Sequence, residues 1–141
     1  MLRSDAEVAL DEALLAAAEA GRIYREAAST SQQFRASLTQ AAALRDGIAR
    51  ELAEAARRAG WLPAAPDPDL EATRALTDEV RLAVEAEEAP LAEERRTADE
   101  EAMKKLTRLS EMTELPAPVA EAATNALGSL GKQPREQNPT S

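Results

Sequence analysis

The residues of this chain that could do chemistry are carboxylates at helical spacing. Glu51 and Glu54 fall one helical turn apart, as do Glu85 and Glu88. Glu87 and Glu94 interrupt an otherwise apolar seam. Carboxylate oxygens alone suit hard cations such as calcium, magnesium or manganese. The chain has no histidine and no cysteine. That removes Glu-x-x-His di-iron ligation, zinc sites built on Cys and His, thiol or Ser-His nucleophiles and histidine phosphotransfer.

Each polar feature has a plainer alternative. Glutamates crowd the outer faces, where they serve solvation and i,i+4 pairing. On that reading Glu51, Glu54, Glu87 and Glu94 hold no metal and the chain carries no cofactor; the four remain the ligands to test if a carboxylate site exists. Arg45 lies mid-seam on the second helix, so Arg45, Glu87 and Glu94 are expected to form a polar core cluster. A charge survives in a core only when paired. The milder form is a partly solvated bridge with snorkelling side chains. The acidic run from Asp78 to Glu101, broken by Arg81, Arg95 and Arg96, reads as a solvated face rather than a dock for a basic partner. Tyr24, the only tyrosine, is expected to pack inward with its hydroxyl satisfied nearby.

These residues need positioning by helices. The 141 residues are 44% hydrophobic, but much of that is Ala, and aromatics are only 2%. Small side chains let helices approach closely yet contribute little transfer energy per residue. Completion of the core by a second chain is a natural expectation. The net charge of −9 repels phosphate backbones, so nucleic acid is not an expected partner. No apolar run reaches the roughly 20 residues of a membrane span. Met1 to Asp5 lack a secretory pattern, and a cytoplasmic location is expected.

Ala, Leu, Glu, Arg and Gln dominate, and these favour helix. A first helix is expected from Ser4 or Asp5 to about Ser29, with Ser4 and Glu7 spaced as a capping box. Leu10, Leu14, Ala17, Gly21, Tyr24 and Ala28 share one face, which Val8, Leu15 and Ile23 broaden. Gly21 on that face implies close approach by a neighbour. The second helix carries the seam Phe34, Leu38, Ala41, Arg45, Ile48, Leu52, Ala55 and Ala59, and Gly60 stops it. Residues 61–69 form a proline-rich linker, with Trp61 and Leu62 expected to fold back over the helices. The third helical region spans about Leu70 to Thr113 and is interrupted near Pro90. A short fourth helix presents Val119, Ala123, Ala126, Leu127 and Leu130 inward and stops at Gly128 and Gly131. One domain, residues 1–131, and a disordered tail, residues 132–141, are expected.

Ile23-Tyr24-Arg25-Glu26-Ala27-Ala28 resembles a segment of uncharacterised bacterial ferritin-like four-helix-bundle proteins. Leu44-Arg45-Asp46-Gly47-Ile48-Ala49-Arg50-Glu51-Leu52 is similar to their Arg-x-x-Phe-Ala-x-Glu-Leu segment, with Ile48 in place of Phe. The Glu-rich stretch around Glu85 to Glu94 and Leu115-Pro116-Ala117-Pro118-Val119 also fit. The resemblance implies an all-α, antiparallel, ferritin-like bundle. Glu51 matches the family's first carboxylate, but Glu54 stands where its His would be and Ala17 where a ligand Glu would be. The implied iron site is therefore lost. The expected function is a non-enzymatic scaffold or protein-interaction module that self-associates or binds a helical partner. The alternatives are a degenerate ferritin-like protein binding metal through carboxylates alone, and an adaptor lying along a partner helix or hydrophobic granule surface.

Overall fold

The computed structural model describes residues 4–63 and 88–137. Among the described residues the chain is all-helical, with four helices and no strand. They are α1 (Asp5–Thr30), α2 (Arg35–Arg58), α3 (Glu88–Glu111) and α4 (Ala117–Gln137). α1 packs on α2 and α3, and α4 packs on the same two helices. That closed set of neighbours is consistent with a bundle around one core.

α1 starts where Ser4 accepts a hydrogen bond from the Glu7 backbone N–H at 3.2 Å, satisfying one of the donors a helix start leaves open. Its apolar stripe is buried as the periodicity predicts: Leu10, Leu14, Ala17, Gly21, Tyr24 and Ala28 all face inward. Gly21 packs directly against α2. A Cβ there would clash with the Asp46 carboxylate, so the expected contact is present and Asp46 fills the space. Asp46 also pairs with Arg25, tying the two helices at the same level.

α2 ends as the sequence implies. Gly60 adopts φ +80, its N–H bonds the Arg57 carbonyl at 3.0 Å, and the Trp61 N–H bonds the Ala56 carbonyl at 2.8 Å. This is a Schellman closure, which needs a left-handed residue after the helix. Replacing Gly60 with Ala is expected to cost about 1–2 kcal/mol; urea unfolding of the variant measures it directly.

The core is Leu10, Leu14, Ile48, Leu52, Leu106, Leu109, Val119 and Leu130 filled in by alanines. A second, smaller group is Tyr24, Ala41 and Ala42, with Leu38 against it. On the outside, Glu12 of α1 meets Lys105 at 3.2 Å and Arg108 at 3.4 Å on α3. Such pairs, within reach of solvent, contribute little.

Four expectations need correction. Phe34 is not on the α2 seam; it sits before the first turn and is half exposed, because α2 begins only at Arg35. Val8 and Leu15 do not broaden the buried face of α1; both are exposed at about 40%. Trp61 folds back onto the core as expected, but Leu62 is 86% exposed, since the chain turns away after the closure at Gly60. The stop at Gly128 and Gly131 does not occur, and α4 runs on to Gln137, into residues expected to be a disordered tail. Neither glycine takes a positive φ. Glycine disfavours a helix interior by only about 1 kcal/mol, and Val119, Ala123, Ala126 and Leu130 anchor this helix in the core.

The first half of the expected third helical region, with Glu85 and Glu87, lies outside the described residues. α3 contains Pro90, and the residues before Glu88 lie outside the described residues. The helix ends at Glu111 rather than Thr113, and Glu114 turns the chain with φ 63. No helix among the described residues is long and apolar enough to cross a membrane.

Candidate functional site

The one deeply buried cation among the described residues is Arg45, in the middle of α2 and 2% exposed. The 3.6-residue period puts it inward between Ala41, Ile48 and Leu52. Burial demands that its donors be satisfied. Its Nη1 donates to the Ala41 carbonyl at 2.8 Å, one turn back. Its Nε donates to Asp99 Oδ1 at 2.7 Å and its Nη2 to Asp99 Oδ2 at 2.8 Å. This two-pronged geometry is the strongest a guanidinium makes with a carboxylate.

Tyr24 of α1 closes the cluster. Its hydroxyl donates to Asp99 Oδ2 and accepts from Arg45 Nη2 at 3.2 Å. The Arg45 guanidinium carbon also lies 3.8 Å from the centre of the Tyr24 ring, a cation–π contact that favours a desolvated arginine. Three helices therefore meet at one polar point: α1 through Tyr24, α2 through Arg45 and α3 through Asp99. No buried side-chain polar atom among the described residues lacks a partner.

Burial is the main cause that pushes the Tyr24 hydroxyl well above the ordinary phenol value of 10.0, helped by its hydrogen bond to Asp99; the positive charge of Arg45 opposes the rise. The hydroxyl is thus held neutral and cannot serve as a base near neutral pH. The unfolded chain ionises it near 10.0, the folded chain only at higher pH. The stabilising contribution of the neutral hydroxyl is complete below pH 10 and is lost as pH rises toward the folded value. Denaturant titrations at pH 8 and at pH 11 are expected to show lower stability at pH 11, and Tyr24→Phe is expected to lack the part of that fall owed to this hydroxyl.

The expected polar cluster is only partly the observed one. Arg45 is buried and paired, not snorkelling at a seam edge, and its carboxylate partner is Asp99. Sequence reasoning missed Asp99 because it sits one position beside the seam residue Ala98. A signal was present: Asp99 is the only aspartate in α3, whose other acids are all glutamates. Aspartate is a poor helix former, so one mid-helix invites a tertiary reason. Glu94 is half-buried on α3.

The carboxylates raised as metal ligands are placed differently. Glu51 and Glu54 are exposed on α2. Glu54 lies 3.6 Å from both Arg57 and Arg58. Among the described residues no three acidic side chains gather as a metal site would require. Comparisons reach no further: no family model, curated protein or solved structure matches this chain.

Proposed function

We propose that the chain is a non-enzymatic helical scaffold or protein-interaction module, built as an antiparallel ferritin-like four-helix bundle in which a closed arginine–aspartate–tyrosine lock occupies the polar core. The observation that carries this reading is the lock itself. An arginine that stays protonated, a carboxylate held by it and a tyrosine kept neutral leave no group free to accept a proton, attack or ligate. Antiparallel order is supported by the short Ser31–Phe34 link between α1 and α2, since short connections join antiparallel neighbours.

Self-association with a second copy is part of the proposal. It is supported by the Ala-rich core and by Val8 and Leu15, seven residues apart on α1 and both exposed. A two-fold pairing would bring the same patch together from both copies. Light scattering of the full chain across a concentration series tests it. The proposal expects a mass above the 15.1 kDa of one chain, returning to that value in Val8→Glu/Leu15→Glu. A constant single-chain mass would overturn self-association.

A further inference from the structure

A groove of about 620 Å³ opens beside the lock and follows one face of α3 from Ala92 to Thr107. Ala92, Asp99 and Met103 line it; they are seven and four positions apart, so they fall in one line along the helix and make the groove floor. The Asp99 carboxylate is occupied by Arg45 and Tyr24. What the floor offers a visitor is therefore apolar: Ala92, which is exposed, Met103, which is half-buried, and the Tyr24 side chain beside them.

Two cations flank this floor. Arg95 and Lys104 line the groove, and neither has an ion-pair partner among the described residues. They are nine positions apart, which is about 13.5 Å along α3 and about half a turn around it. The line through Ala92, Asp99 and Met103 passes between them. Arg95 therefore stands on one flank near the start of the groove, and Lys104 on the other flank about two and a half turns later. One small anion cannot reach both. A helix lying along the floor meets each in turn. Of the other charged residues on the rim, Arg96 is engaged by Glu93, and Glu100 is the one acid.

We infer that this groove docks an acidic amphipathic helix of a partner protein. Its apolar stripe lies on Ala92, Met103 and Tyr24, with a carboxylate on each side of the stripe, one toward Arg95 and the other toward Lys104. The groove face is about 22 Å long, some four helical turns, enough for apolar anchors at i, i+3, i+4 and i+7. A basic helix would set like charges against Arg95 and Lys104. A helix without carboxylates would cover half-buried Arg95 and leave its charge unpaired. The net charge of −9 opposes an acidic partner only at long range, and salt screens it over about 8 Å, so the flanking cations are the charges such a helix meets. The inference rests on the interaction-module reading and names the partner. Light scattering tests self-association separately, so a failure here beside a mass above 15.1 kDa would leave that reading standing.

The test titrates the full chain into a fluorescently labelled synthetic helix and follows anisotropy at ~0.15 M salt. The probe is a peptide of about 18 residues with Leu at the spacing given above and Glu on both flanks. One counterpart carries Lys in place of every Glu, and another holds the same residues in scrambled order. The acidic helix is expected to bind saturably with Kd below about 100 µM, and both counterparts about tenfold more weakly. Arg95→Glu/Lys104→Glu is expected to reverse the preference, taking the basic helix over the acidic one. Unchanged circular dichroism of that variant shows that the fold is intact. Ala92→Glu, at an exposed position of the floor, is a second variant expected to weaken the acidic helix. No saturable binding at ~1 mM would overturn the proposal. So would equal binding of either counterpart, or an unchanged preference in the Arg95/Lys104 variant. Loss of self-association as the acidic helix binds would assign the groove to a second copy, and would overturn it as well.

Discussion

Asp99→Ala is expected to destabilise the fold by about 3–5 kcal/mol, the cost of leaving a buried charge without its partner. Arg45 is 2% exposed and cannot turn to water, whereas the Asp99 side chain is 25% exposed. The two halves of the lock are therefore unequal. Arg45→Met leaves a carboxylate that solvent can reach, and a smaller loss of about 2–3 kcal/mol is expected. Replacing both residues by apolar ones, Arg45→Met/Asp99→Ala, removes the charge and its desolvation together. That double variant is expected to lose much less than the two single losses combined. Urea unfolding of the four proteins completes the cycle. Additive losses would mean that Arg45 and Asp99 act separately.

Leu106→Ala is the second large effect, expected at about 2–5 kcal/mol. Among the described residues the largest fully buried side chains, besides Arg45, are Leu10, Leu52, Leu106, Leu109 and Val119. Alanines fill much of the rest and supply little apolar area each. Each leucine therefore carries a large share of the stability, and neighbouring alanines cannot extend into the cavity. Leu52→Ala is expected to behave alike. Leu15→Ala, at a site 42% exposed, is expected to change stability by under ~1 kcal/mol. Thermal and chemical unfolding would order these variants. A Leu15→Ala loss as large as that of Leu106→Ala would contradict the described core.

Helix identity and inward faces were legible because apolar residues recur at the helical period over long stretches. Leu10 to Ala28 on α1 and Ala41 to Ala55 on α2 follow it closely, and both stripes are buried. Gly60 was legible as a stop because a left-handed closure favours glycine at that position. Residue type misled where it was read without boundaries. Phe34 fits the α2 seam by spacing but precedes the helix, and Val8 and Leu15 lie too far round α1 to be covered. Gly128 and Gly131 read as a terminus, yet a helix anchored by Val119, Ala123 and Leu130 tolerates them.

Arg45 stood out as a cation on an apolar seam, but its partner did not. Periodicity reports which residues face inward, and a carboxylate can reach a buried cation from the flank of its helix. Asp99 does so from beside Ala98. Tyr24 was placed correctly on the inner face, while the bond from its hydroxyl to α3 spans 75 positions in sequence and follows no local pattern.

Ultraviolet titration of Tyr24 tests the closed lock most directly, because the chain has one tyrosine and its phenolate absorbance needs no label. With circular dichroism followed on the same samples, phenolate absorbance is expected to stay absent through pH 10 and to rise only as helicity is lost. A phenolate step centred near 10.0, the ordinary value, with helicity intact would show that the hydroxyl is open to solvent and that the lock does not exist in solution.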